Sequence, residues 1–543
     1  MSYEGQDHHP HKRGYPPNPH LLLSSPLSIP PHLKLVQAHW FVRHGERAPV
    51  RERMVGLGDI PQVFQLCSIG RQFTSAVLTL SPPSKSASSS SQSSSLGSSP
   101  SPSNPFLSAA RHTTSLSAPS PSPTPPHDAP VSQTRQQLPV TRFTQIVSPS
   151  SSSSSSDTVP LLPKRGGLSD CYWGELTDLG RESTLRFGSI LRNLYTTTPF
   201  TSTSSASSSS SKGFLPSELD SRMLEEGVLQ FRSTNMPRTI ESLHQIIEGL
   251  YPSTTATTTT TTIDDDSKRS RGFSIPFMVR NWTEESLTPN TTACRKLRKL
   301  DLKSIKLACL EQNPSLAELD PLLESLFNGQ GIRIDSSNPR ASGVLDTLMV
   351  CRAHGIKVPK VLEDPKVLRV LENAVVHEWF DGYKDPEFKR LAMGRLFSDL
   401  HSHLSSKINN PESDKLKLSI NSCHDTSVAG IMNAMEAFNG RWPAFTSSLG
   451  IELYKSNSTS SNNTSSEKSS SPSPSPSAPS SIAAPHHFIR ILYNGKPLSL
   501  PGCSEPKNHL EGSEGKICTF SAFEKVLEKV ELGEKEWREI CAD

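Results

Sequence analysis

Positions 43 to 49 read Arg43-His44-Gly45-Glu46-Arg47-Ala48-Pro49, residue types that in this order suit the handling of a phosphate ester. Hydrolysis of a phosphate monoester calls for positive groups around the phosphoryl oxygens, an in-line nucleophile and a proton for the departing alkoxide. Arg43 and Arg47 offer forked donors that match phosphate geometry, with His44 between them, and Gly45 lets the backbone turn close to a bound oxyanion. Two later segments carry further candidates: Phe231-Arg232-Ser233-Thr234-Asn235-Met236-Pro237-Arg238-Thr239 and Ser422-Cys423-His424-Asp425-Thr426.

Each segment sits where an element should present it. Leu33 to Val42 is a β-branched and aromatic run that reads as a buried strand ending at the first motif. Val228 to Phe231 reads as a short strand, and Pro237 opens a helix whose Ile240, Leu243, Ile246, Ile247 and Leu250 share one face. Arg238 therefore falls in a first turn, where free backbone donors and the helix dipole favour an anion. Leu416 to Ile420 reads as a strand leading into His424-Asp425, followed by a helix marked by Val428, Ile431, Met432, Met435 and Phe438. Further helices are expected within 62–80, over 176–195, in the stretches 293–312, 344–353 and 365–406, and over 520–540, with strands at 273–279 and 488–493. Strands alternating with helices argue for an α/β fold with a largely parallel sheet flanked by helices, whose ligand crevice lies beyond the carboxyl ends of the strands.

The first motif, R-H-G-x-R-x-P, resembles the signature of the histidine acid phosphatases, a branch of the histidine phosphatase superfamily that includes phytases and has a phosphoglycerate mutase-like fold. The resemblance implies that His44 is the nucleophile and that Arg43 and Arg47 bind the transferred phosphate. The second segment resembles the family's R-S-T-x-x-x-R-T element, which makes Arg238 a phosphate ligand. The third resembles its H-D element, in which His424 contacts phosphate and Asp425 protonates the leaving group. Gly174-Glu175-Leu176-Thr177-Asp178-Leu179-Gly180 resembles the family's G-x-L-T-x-x-G helix start and serves as a fold marker. A finer likeness is to the lysophosphatidic acid phosphatase branch, carried by Arg441-Trp442-Pro443-Ala444-Phe445, Ile451-Glu452-Leu453-Tyr454, Leu492-Tyr493-Asn494-Gly495-Lys496 and Pro501-Gly502-Cys503. The implied mechanism is attack by His44, a covalent phosphohistidine and hydrolysis by water, with no metal or organic cofactor. The substrate would be a small phosphomonoester, lysophosphatidic acid among the candidates. Alternatives are a phytase-like or sugar phosphate phosphatase and, in another class, an inactive anion-binding interaction protein.

Composition bounds the rest. Only 34% of the 543 residues are apolar, because the tracts near 83–160, 201–212, 253–271 and 456–485 are nearly pure Ser, Thr and Pro and read as disordered inserts. With residues 1–32 as a tail, the phosphatase domain would span 33–543, with an α/β core near 33–82, 161–290 and 414–543 and a helical cap near 291–413. The formal charge of +3 comes from nearly balanced acids and bases spread along the chain and gives no argument for nucleic acid or membrane partners. Nine cysteines show no C-x-x-C spacing; Cys503 with Cys518 is one conceivable pair. His8, His9 and His11 could bind a metal but lie in a Pro-rich tail and read as solvated, and Asp264 to Asp266 lacks the spacing of a cation loop and reads as part of a disordered tract. Cys423 has no arginine six residues on, and no Walker A segment occurs. Leu21 to Leu23 is too short an apolar run for a signal-peptide core or a membrane span, so the expectation is an intracellular protein, cytoplasmic or mitochondrial.

Overall fold

The computed structural model describes residues 29–70, 137–140, 169–196, 213–252, 275–457 and 487–542. The central strand β1 (Leu33–Arg43) is buried along its last seven residues, as a strand covered on both faces must be. It pairs in parallel with β5 (Leu418–Cys423), which pairs in parallel with β3 (Leu229–Ser233), and that in turn with β4 (Ile275–Val279). Outside this four-strand centre the sheet is antiparallel. Strand β2 (Gln137–Val140) adds to β4, and β6 (Ser448–Ser456) lies on the other side of β1. Beyond β6 come β7 (His487–Tyr493), β8 (Lys496–Pro497) and β9 (Ile517–Thr519). The order is β2-β4-β3-β5-β1-β6-β7-β8, with β9 also on β7. The expected α/β class holds, with the parallel pairing confined to the centre.

Alternation along β1 feeds two cores. Ala38, Trp40 and Val42 face helices α1 (Asp178–Thr196) and α3 (Pro237–Leu250), meeting Phe187, Leu191, Leu243 and Ile246. The short α2 (Ser221–Glu225) precedes β3. Phe41 faces the opposite way, into a core built with α8 (Pro386–Asn409), α9 (Asp425–Ala434), α10 (Phe520–Glu528) and α11 (Glu534–Ala542). A separate core joins α4 (Arg295–Ala317), α5 (Asp320–Leu323), α6 (Ala341–Ala353) and α7 (Pro365–Phe380) to the loop after the first motif through Ala48, Met54, Ile60 and Phe64. Within the stretch 291–413, α8 packs into the core beneath the sheet through Met393, Leu396 and Phe397, and α7 contributes residues to that core and to the separate one.

Several expectations change. The terminal helix over 520–540 is two helices, broken where Val530 and Leu532 turn inward and the Leu532 amide donates to the Gly394 carbonyl at 3.1 Å. The helix after Asp425 stops at Ala434, with Glu436 at φ +60°, so Phe438 lies beyond it. Strand β2 arises inside the tract 83–160. Most of the helix expected within 62–80, the remainder of 83–160, the tract 201–212, the tract 253–271, residues 458–485 and His8, His9, His11 and Asp264 to Asp266 lie outside the described residues. Three disulfides close the fold: Cys67–Cys171, Cys294–Cys541 and Cys503–Cys518. No described helix is long and apolar enough to cross a membrane.

Candidate active site

Parallel pairing brings the three polar segments to one place. Arg43 ends β1 opposite Cys423 of β5, and Ser422 of β5 lies opposite Ser233 of β3. All three strands deliver their carboxyl ends to the same edge, where the His44 amide donates to the Cys423 carbonyl (3.0 Å) and the Thr234 amide to the Ser422 carbonyl (3.2 Å). The turn after His44 is locked against the start of α1. A Cβ on Gly45 would lie 2.3 Å from the Gly180 oxygen, and one on Gly180 2.1 Å from the Glu46 oxygen, so both positions need glycine. The Gly174–Gly180 element thus holds the motif loop in shape.

His44 is buried, and its Nδ1 lies 2.9 Å from the Gly45 carbonyl oxygen. A carbonyl only accepts, so Nδ1 carries the proton and Nε2 is left with the lone pair. Burial, and then the charges of Arg238, Arg43, Arg47 and the neighbouring His424, hold the ring's pKa well below its ordinary value, so the imidazole is neutral and nucleophilic in mild acid. The His424 ring stands edge-on to it at 5.6 Å. His424 caps α9, its Nε2 lies 2.9 Å from Thr234 Oγ1, and burial and Arg238 push it down to about 3.

Three arginines surround these rings. Arg43 bonds Asp425 Oδ2 through Nη2 at 2.8 Å, donates from Nη1 to the Pro443 carbonyl, and lies 4.3 Å over the Phe445 ring. Arg47, 5.6 Å from the same ring, bonds Asp346 Oδ1 at 2.8 Å. Arg238 occupies the first turn of α3, and burial and the charge of Arg47 lower its pKa to about 9. The Nε atoms of Arg43, Arg47 and Arg238 are buried without a protein acceptor. The Nε of Arg232 shares that state, so it is the gathering of three forked guanidinium groups beside His44 and His424, rather than the orphaned atoms, that suits a phosphoryl group. Asp425 is half of an ion pair. Burial alone would raise its pKa, but Arg43, Arg47 and His424 outweigh burial and hold it below the usual carboxylate range.

His44, Asp425, Arg43, Arg47, Arg238 and His424 are thus all brought to one edge of the sheet. Arg232, the first arginine of the second segment, instead bonds Glu285 Oε1 at 2.7 Å and Ser286 Oγ at 3.0 Å and braces the fold. The sequence reading missed Asp346 of α6, whose Oδ2 also meets Arg53 Nη1 (3.3 Å) and the Val50 amide (3.2 Å). A lone acid in the apolar run Val344-Leu345-Asp346-Thr347-Leu348 was the available signal. It also missed the Phe445 platform and Ser242, whose hydroxyl accepts from the Gly45 amide (3.1 Å) and donates to the Arg238 carbonyl (2.7 Å). Among the described residues no group of three or more His, Cys, Asp or Glu side chains is placed to hold a metal ion.

The family model described as histidine phosphatase superfamily (branch 2) matches residues 34–494. The chain belongs to that family. This histidine phosphatase is 29% identical over 523 residues to a probable acid phosphatase of Schizosaccharomyces pombe, covering 92% of this chain and 93% of the relative. It is 25% identical over 368 residues to a probable acid phosphatase of Dictyostelium discoideum, covering 66% and 70% of the two chains. To lysophosphatidic acid phosphatase type 6 of Bos taurus it is 22% identical over 384 residues, covering 70% and 71%.

Proposed function

We propose that this protein is a phosphomonoesterase that passes the phosphoryl group of a small phosphomonoester through His44. The observation that carries the reading is the tautomer of His44: Nδ1 is committed to the Gly45 carbonyl, and Nε2 is a free lone pair among three arginines. Nε2 attacks phosphorus, the P–O bond to the alcohol breaks, and Asp425 gives the departing oxygen its proton. Water then attacks the phosphohistidine, Asp425 takes its proton, and inorganic phosphate leaves. Substrate binding itself prepares Asp425. A dianionic phosphoryl group offsets the arginine charges that hold the free carboxyl low, so its pKa rises towards the value an acid needs. The three guanidinium groups supply the charge stabilisation that a metal ion supplies in other phosphatases.

Lysophosphatidic acid is the substrate proposed for test, on the likeness to the bovine relative; an inositol or sugar phosphate is the alternative. Hydrolysis of an aryl phosphate, lysophosphatidic acid, inositol hexakisphosphate and glucose 6-phosphate in excess chelator tests both parts. Chelator-resistant turnover with the highest kcat/KM on lysophosphatidic acid supports the reading. Binding of phosphate without any turnover by folded protein would favour the inactive anion-binding alternative. The three disulfides support a thiol-oxidising compartment over the reducing cytoplasm as the place where the chain folds.

A further inference from the structure

The balanced charge of the whole chain conceals a local concentration on α4. We propose that the outward face of this helix docks the protein on an anionic lipid surface. The proposal rests on α4 alone and holds whichever phosphomonoester the active site takes.

Helix α4 is fixed from within. Leu297, Ala308 and Leu316 are buried in the two cores beneath it, and the Cys294–Cys541 disulfide ties its N-cap to the last helix. Its exposed side carries Arg295, Arg298, Lys299, Lys303 and Lys306; Arg295, Lys299, Lys303 and Lys306 follow at steps of four and three, and Arg298 lies three from Arg295, so all share one side of the helix. None of the five has an ion-pair partner among the described residues. Asp301, the acid between them, is turned inward and buried. From Arg295 to Leu310, about 22 Å, the helix itself exposes no acid; the Glu387 carboxylate of α8 reaches its flank, where it pairs with Lys296.

Three leucines lie on the same face: Leu302, Leu307 and Leu310 are 44%, 51% and 75% exposed. Single exposed leucines are ordinary; three interspersed among five cations are a patterned surface. The occupant has to suit both kinds of side chain. A nucleic acid or an acidic peptide would neutralise the cations and leave the leucines in water. A bilayer with anionic headgroups satisfies both, because the leucines enter the headgroup and acyl boundary while the Lys and Arg heads stay at phosphate level. Attachment is then peripheral and through a preformed rigid face.

The test is co-sedimentation of the full chain with vesicles of phosphatidylcholine alone, or with about one third phosphatidylserine, at low and high salt. Binding only to the anionic vesicles, and its loss at high salt, is the expected result. Each cation near such a surface contributes roughly fivefold to partition, so Lys299→Glu/Lys303→Glu/Lys306→Glu should bind at least about a hundredfold more weakly. Leu302→Ser/Leu307→Ser/Leu310→Ser should also lose binding with its cations intact, and both variants should hydrolyse aryl phosphate as wild type does, showing that they fold. No binding at low salt overturns the proposal. Equal binding by the charge-reversed variant does so too, and binding by the leucine variant at the wild-type level would mark a purely electrostatic polyanion site instead.

Discussion

Removing Asp346 should disable Arg47 without touching the substrate. Its carboxylate takes a hydrogen bond from Arg47 Nη1 at 2.8 Å and braces the same loop through Arg53 and the Val50 amide. The Arg47 and Asp346 side chains are only 9% and 13% exposed, so little water is on hand to replace the lost partner. A hydrogen bond to a charged group is worth about 1.5–3 kcal/mol. Outright loss of a buried partner costs about 3–5 kcal/mol, an upper limit here because Arg47 keeps the Ala48 carbonyl and the Phe445 ring. At about 1.4 kcal/mol per factor of ten, Asp346→Ala should lower kcat/KM for an aryl phosphate by about ten- to a hundredfold. The assay is a double-mutant cycle of Asp346→Ala with Arg47→Ala, read in kcat, KM and inhibition by inorganic phosphate. Because Asp346 acts as a positioning residue through Arg47, it should have almost no further effect once Arg47 is gone. Wild-type kcat/KM in folded Asp346→Ala, or full additivity in the cycle, would show that Asp346 does not act through Arg47.

Three further outcomes follow from the same geometry. Asp425→Asn should cut hydrolysis of an alkyl phosphate by about a hundred- to ten-thousandfold and that of a nitrophenyl phosphate far less, since only the alkoxide needs the proton; equal losses on both would contradict the role of Asp425 as acid. In the free enzyme the depressed pKa values of His44 and Asp425 leave the ring neutral and the carboxyl ionised through mild acid, so the required proton arrives with a monoanionic substrate. The pH profile of kcat/KM should then fall about tenfold per unit above about pH 6, where phosphomonoesters lose their second proton, and an alkaline optimum would overturn this. Cys541→Ser opens the disulfide from Cys294 across a separation of 247 residues and should destabilise the protein by about 2–5 kcal/mol in denaturant titration; an unchanged midpoint would show that the bond contributes nothing.

What the sequence made legible followed local physics. Strand β1 is an apolar run whose polar end is the first motif, and Pro237 marks the start of the helix that carries Arg238. The ion pair of Asp346 with Arg47 joins α6 to the loop at the end of β1, and no local pattern encodes a pairing across 299 positions. Strand β6 escaped the periodicity reading because Glu452 sits at its centre, fully buried, bonded to Arg490 Nη2 at 2.6 Å and accepting from Tyr195 and Tyr454 at 2.8 Å each. A buried charge satisfied by distant partners reads locally as a solvated one. Strand β2 contains Pro139 and lies at the sheet's edge, where proline is tolerated, and the Ser- and Pro-rich composition around it masked the strand. The break between α10 and α11 comes from Leu532 packing on Gly394, which helical periodicity across 520–540 does not reveal.

Turnover as proposed depends on a covalent bond between His44 and phosphorus, which trapping the phosphohistidine would reveal. Wild type, His44→Ala and Asp425→Asn should each be mixed with an aryl phosphate carrying labelled phosphorus, quenched in base to preserve an acid-labile phosphoramidate, and digested for peptide mapping. Label should appear on the peptide containing His44 in wild type and Asp425→Asn, and none in His44→Ala, which should also lose turnover. Label on another residue, or full turnover by His44→Ala, would contradict the covalent step at His44.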